Sequence, residues 1–149
     1  MAIAQAICNS FKKQLLEGDA NFTQTTGDKF KLALYQSTAN LSASATAYTA
    51  TGEATDTGSG DYAAGGKNLA VGSQQTSVAT GVAIVDFADL SFTGVTLTAR
   101  GALIYNTSSA VTNAAVAVLD FGGNKTATAG TFTIQFPAFT TSAAILRIS

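Results

Sequence analysis

Apolar residues recur at a four-residue step at the start of the chain: Ile3, Ile7, Phe11 and Leu15, with Leu16 widening the stripe. Gln5, Asn9, Lys12, Lys13 and Glu17 lie off it. This spacing predicts one face of an amphipathic helix. Gly18, followed by Asp19 and Asn21, marks its end. An isolated helix of this length is marginal in water. Residues 1–18 are therefore read as a helical arm that docks on its own sheet or on a neighbouring subunit.

Beyond the arm the period changes to two. Phe30-Lys31-Leu32-Ala33-Leu34-Tyr35 alternates and is rich in strand formers. A long Ala/Ser/Thr/Gly segment follows, residues 36–66, with only Leu41, Tyr48 and Tyr62 as large apolar groups. It is too long for an ordinary loop and reads as an excursion that orders partly on a partner surface, with a short strand near Ala47–Thr51. Further strands are predicted at Asn68–Val71, Val82–Phe87, Val95–Ala99, Ala102–Tyr105, Ala115–Phe121, Thr131–Phe136 and Ala144–Ile148. Gly81, Gly94, Gly101, Gly122-Gly123 and Gly130 punctuate them. Pro137 sits just after a strand, where its missing N–H does no harm. Short strands without intervening helices predict a mainly β protein: an antiparallel β-sandwich or jelly-roll-like barrel with one N-terminal amphipathic helix. Residues 19–149 form a single β domain in this reading, with no internal repeat.

Composition narrows the function. Of the 149 residues 46% are hydrophobic and only 11% charged, against roughly 25% charged in ordinary soluble domains. A small domain has much surface to cover, so part of it is expected to be hidden by partners, since obligate interfaces are apolar and poor in charge. Net charge is −1 and no basic patch exists beyond Lys12-Lys13 and Lys29-Phe30-Lys31, which argues against direct nucleic-acid binding. No apolar run approaches a membrane span. The N-terminus lacks the order of a signal peptide, because Lys12-Lys13 follow the apolar positions. One cysteine, Cys8, permits no internal disulfide, which fits a reducing cytosol.

The chain has no histidine and no tryptophan. Histidine-based triads and Cys-His pairs are thereby excluded, and with them the commonest neutral-pH base. Asp56-Thr57-Gly58-Ser59 spells the aspartic-protease tripeptide, but that chemistry needs two carboxylates sharing a proton, and here no apolar strand precedes the motif. Asp56 and Asp61 with Glu53 offer oxygen ligands for calcium, without helix-loop-helix spacing; the simpler reading is a Gly-rich turn. Asp86 and Asp89 form a possible pair near a strand end. Asp120-Phe121-Gly122 echoes a kinase triplet without its companions. Arg100, one of two arginines, is expected to pair with Asp86, Asp89 or Asp120, either to hold the fold or at a subunit contact. No catalytic residue, metal or cofactor is expected.

Several blocks together carry a resemblance: Met1–Gly18, Phe30–Tyr35, Tyr62-Ala-Ala-Gly-Gly66, Thr98-Ala-Arg-Gly-Ala-Leu-Ile-Tyr-Asn106, Ala115-Val-Ala-Val-Leu-Asp-Phe-Gly122 and Gly130-Thr-Phe-Thr-Ile-Gln-Phe-Pro137. The chain resembles small virion structural proteins of tailed bacteriophages, including cyanophage-like viruses. That resemblance implies a mainly β protein present in many copies per particle, assembled in the cytoplasm of the bacterial host without cleavage of a leader. The function expected is a capsid decoration, or cement, protein that binds and stabilises the head shell. The alternative is a tail, neck or baseplate component. The expected partners are further copies of the chain, as a homotrimer, and the major capsid protein or another virion protein. Ile3, Ile7, Phe11 and Leu15 are the expected docking arm, Tyr48 and Tyr62 the loop anchors, and Arg100 a contact at a strand end.

Overall fold

The computed structural model describes residues 2–72, 77–79 and 81–149, with the backbone alone for 77–79. The protein is mainly β, and every paired strand is antiparallel. In chain order the elements are β1 (Ala6–Ile7), α1 (Asn9–Glu17), β2 (Phe30–Tyr35), β3 (Lys67–Leu69), β4 (Ser77–Ala79), β5 (Val82–Val85), β6 (Leu90–Asn106), β7 (Ala114–Ile134) and β8 (Leu146–Ile148). A five-stranded sheet runs β1-β7-β6-β2-β3 and a three-stranded sheet runs β4-β5-β8. The architecture is sandwich-like.

The N-terminal segment departs from the predicted helix. Ile3 bridges to Leu41, and Ala6–Ile7 pairs with Val118 and Ala117 of β7. Helix begins only at Asn9. A four-residue step fits two periods at once: i and i+4 share a face on a helix and also on a strand. Here the strand reading wins for Ile3 and Ile7, because β7 offers backbone partners that an isolated helix lacks. The helix has no side-chain N-cap; the Cys8 and Asn9 N–H groups donate to Val116 and Ala43 carbonyls instead. It stops as predicted. Gly18 adopts φ 74°, and the Gly18 and Asp19 N–H groups donate to Leu15 and Gln14 carbonyls, closing the last turn.

Nor does the segment stand off as an arm. Ile3, Cys8 and Phe11 are buried in the common core. Phe11 meets Phe22 edge-on at 5.8 Å, Phe22 stacks on Phe30 at 4.8 Å, and Phe87 closes on Phe30 at 5.6 Å. This chain of rings joins the helix, the turn after it and the main sheet. Leu16, read as part of the apolar stripe, points the other way and is 92% exposed.

Four predicted strands merge into two long ones. Val95–Ala99 and Ala102–Tyr105 are halves of β6; Ala115–Phe121 and Thr131–Phe136 belong to β7, apart from its last two residues. Of the glycines read as breaks, Gly94, Gly101, Gly122, Gly123 and Gly130 lie inside β6 and β7, while Gly81 does sit in a turn before β5. Asp120 pairs with Gly101 and Lys125 with Ala99, so Phe121, Gly122, Gly123 and Asn124 stand against Arg100 alone. Gly122 takes φ 74° there. A bulge of this size bends the ribbon, and Phe121 comes within 6.0 Å of the Phe132 ring.

Candidate functional site

The excursion over residues 36–66 is fastened to its own domain. Ala39, Leu41, Ala54 and Tyr62 are core residues, and Ala47 bridges to Ala114. Glu53 organises the rest. Its Oε1 accepts from Tyr62 Oη at 2.8 Å and from the Gly65 N–H at 2.7 Å; its Oε2 accepts from Tyr48 Oη at 2.5 Å. Tyr62 Oη also accepts from the Leu34 N–H at 2.9 Å. Tyr35 Oη donates to the Thr49 carbonyl at 2.6 Å, and Tyr105 Oη to the Gly65 carbonyl at 2.6 Å. Tyr48 stacks on Tyr105 at 5.0 Å. Of the four tyrosines of the chain, Tyr48 and Tyr62 bond the Glu53 carboxylate, and Tyr35 and Tyr105 bond backbone carbonyls of the same excursion. Burial, and then Glu53 beside it, push the Tyr48 hydroxyl up to about 12. Burial raises Tyr35, Tyr62 and Tyr105 as well. Neutral phenols held as hydrogen-bond donors fix a loop; they are not primed as bases. Tyr48 and Tyr62, expected as interface anchors, make their hydrogen bonds inside the domain, to Glu53 of the excursion and, for Tyr62, to Leu34 of β2.

The aspartates singled out in the sequence work likewise. Asp56 Oδ1 accepts from the Gly58 N–H at 2.9 Å and the Thr96 N–H at 2.7 Å, and Oδ2 from the Gly60 N–H at 2.9 Å. These bonds, the Thr96 one first, hold its carboxyl below the usual range. Asp61 accepts from Lys67 Nζ and the Thr93 N–H. The protease-like tripeptide is a loop pinned along β6. Among the described residues no cluster of three or more His, Cys, Asp or Glu side chains is arranged to hold a metal ion. Burial pushes the Cys8 thiol up to about 11, against a small opposing pull from Lys12, so it stays protonated and inert.

Of the three carboxylates offered to Arg100, the partner is Asp120, with Nε to Oδ1 at 3.0 Å and Nη2 to Oδ2 at 3.3 Å. Asp120 Oδ1 also accepts from the Gly122 N–H. The pair closes the neck of the β7 bulge, so Arg100 holds the fold. Asp89 Oδ1 caps the Phe136 N–H, and Asp86 Oδ1 is buried with no partner among the described residues.

The opposite character appears around the C-terminal end of α1. A groove of about 630 Å³ separates the helix from β5 and β8. Ile7, Phe11, Leu15, Phe22, Ile84 and Leu146 line it, with Ile148 at its margin. Lys12 and Arg147 are the charged side chains on its walls. Of the large apolar residues described, the exposed ones are Leu16 at 92%, Val111 at 49% and Ile148 at 60%. Ile148 lines the groove. Leu16 faces away from the stripe that lines the groove. The loop before Val111 is tethered by Asp19, whose carboxylate accepts from Ser109 Oγ at 2.7 Å and the Ala110 N–H at 3.2 Å. Ile7, Phe11 and Leu15, three of the four predicted docking residues, fall on this groove. Ile3 does not; it packs under Gly101 in the sheet.

No family model, curated protein or solved structure matches this chain. No helix among the described residues is long and apolar enough to cross a membrane.

Sequence reasoning missed Glu53 as the centre of the excursion and Asp19 as a tether. A lone acid within an Ala/Ser/Thr/Gly run is a weak signal that a buried hub is present. It also missed that the stripe residues Ile7, Phe11 and Leu15 face a groove against β5 and β8.

Proposed function

We propose that the protein is a structural component of a tailed-phage virion, and specifically a capsid decoration protein that binds the assembled head shell. The observation that carries this reading is the open apolar groove between α1 and the β5/β8 pair, lined by Ile7, Phe11, Leu15, Phe22, Ile84 and Leu146 with the exposed Ile148 beside them. Exposed apolar clusters of this kind mark interaction sites. The sequence blocks described above supply the virion context. Elsewhere, side chains with chemical potential are spent on backbone hydrogen bonds, which suits a rigid building block.

The mechanism is linkage. A protein that binds the assembled lattice and not its free subunits shifts the equilibrium toward the lattice. With a groove lined mainly by apolar side chains, apolar contact dominates the affinity, and binding persists at raised salt. The test is a particle made without the protein. Heads of normal size that lose genome at lower temperature or under osmotic shock support the reading, as does a copy number near that of the shell protein. Stable filled heads that lack tails or fail to adsorb overturn it in favour of a tail, neck or baseplate role.

A further inference from the structure

We infer that the open edge of β7 pairs, antiparallel and about a two-fold axis at Thr133, with the same edge of a second copy of this chain. The inference does not depend on the virion reading. β1 covers the outer side of β7 only at Ala117 and Val118, and Gln5 Oε1 accepts from the Asp120 N–H just beyond. Past the bulge at Phe121–Asn124, no strand among the described residues pairs with that side. Which backbone groups face it follows from β6. The Ser91 carbonyl accepts from Lys67 Nζ at 2.9 Å. The Thr93 N–H donates to Asp61 Oδ1 at 2.7 Å, and its carbonyl accepts from the Asp61 N–H at 3.1 Å. Ser91 and Thr93 thus turn their backbone groups away from β7, so Leu90 and Phe92 turn theirs toward it. Their partners are Ile134 and Phe132, and the Phe136 N–H continues the inward series by donating to Asp89 Oδ1. Thr131, Thr133 and Gln135 therefore point N–H and C=O outward, and all three residues are exposed.

A hollow of about 410 Å³ lies beside this edge. Its walls run from Phe121 to Gln135, come from both faces of β7 and include no residue of β6, which puts it where a neighbouring strand would run. Open edges in native proteins are usually guarded by charge, by proline, by shortness or by a cover. Other edges here are guarded in this way. β3 and β8 are three residues each and carry Lys67 and Arg147, and the outer side of β6 is closed by the loop from Asp56 to Asp61. The run from Thr126 to Phe136 contains no charge and no proline. Its occupant must be an extended, neutral strand with an unpaired edge of its own, and this chain presents one. Two-fold pairing lays the run on itself, Thr133 against Thr133 and Thr131 against Gln135. The Lys125 side chains that flank the run then fall on opposite sides of the axis, so no like charges meet. With the other side of the ribbon already closed, the pairing ends at two copies.

The experiment is sedimentation equilibrium of the full-length protein from micromolar to millimolar concentration, where a dimer is expected. Thr133→Lys and Thr133→Glu, each checked for native circular dichroism, set like charges directly across the axis. Each should raise the dimer dissociation constant about five-fold or more. An equimolar mixture of the two variants should recover the dimer, because opposite charges then face each other. A protein that stays monomeric across the range overturns the inference. So does a dimer or trimer indifferent to Thr133→Lys, or a loss that the mixture does not restore. Amide hydrogen exchange of the unmodified protein gives a second readout that needs no variant. Exchange at Thr131, Thr133 and Gln135 should slow as concentration rises through the dimer transition; unchanged exchange there puts the contact elsewhere and overturns the inference.

Discussion

The two ends of this molecule solve opposite problems. Around Glu53 the chain is poor in large apolar side chains, and it compensates by saturating polar groups: one carboxylate, four phenols and a series of backbone N–H groups leave little unbonded. Around the end of α1 the chain has apolar surface to spare and leaves it open. Satisfied polar groups make a rigid loop that needs nothing from outside. Uncovered apolar groups make a surface that gains from a partner. A substitution at the first end should change stability; at the second end it should change association.

Gly66→Ala is the severest way to break the polar end. Gly66 sits at φ 72°, and an added Cβ would overlap the Leu32 carbonyl oxygen. Strain and overlap together should cost more than about 3 kcal/mol, read as a large drop in the thermal midpoint. Glu53→Ala comes next. It strands the hydroxyls of Tyr48 and Tyr62 and the N–H of Gly65, and should cost about 2 kcal/mol by denaturant unfolding. Glu53→Ala should be non-additive with Tyr48→Phe, because both remove the same bond.

Stability should also narrow at both extremes of pH. Asp19, Asp56, Asp61 and Asp120 are held below their ordinary value of 3.8 by hydrogen bonds or a cation partner. The unfolded chain binds protons first, so this stabilisation is complete above about pH 5 and is lost as pH falls through 3.8 and below. The tyrosines are raised above 10 in the folded protein, so their contribution is complete below 10 and is lost as pH rises past it. Unfolding midpoints measured across pH should show both losses, and Asp56→Asn should flatten the acid one.

Two substitutions sharpen the comparison from the other side. Gln14 is buried with its Oε1 unbonded among the described residues, so Gln14→Leu should stabilise by about 1 kcal/mol. Ile148→Gln should move stability by less than about 0.5 kcal/mol and yet weaken shell binding in co-sedimentation.

The fold class was legible because runs of strand-forming residues fill β2, β5, β6 and β7, and because no second helical period competes. The strand count was not. Gly94, Gly101 and Gly122 read as breaks in a linear pattern, yet a bulge keeps a long strand paired through them. Ile3 and Ile7 were assigned to a helix because a four-residue step cannot separate the two periods. Ile7, Phe11 and Leu15 were legible as one apolar set, and they line one groove. Their role as walls rather than as a free arm depends on β5 and β8, some seventy and more residues away in sequence. The excursion's fastening depends on Tyr35 of β2 and Tyr105 of β6, which bond the Thr49 and Gly65 carbonyls from distant segments that no local pattern connects.

The gathering of every tyrosine around the excursion also sets what light can report. With no tryptophan in the chain, near-ultraviolet absorbance, fluorescence and dichroism are dominated by this one neighbourhood. An optical melt follows the release of the excursion from the main sheet. It is nearly blind to opening of the helix away from β5 and β8, where the nearby rings are phenylalanines. Occupancy of the groove will be optically silent unless a reporter is placed there, and a chromophore at position 148 would give the second, independent window.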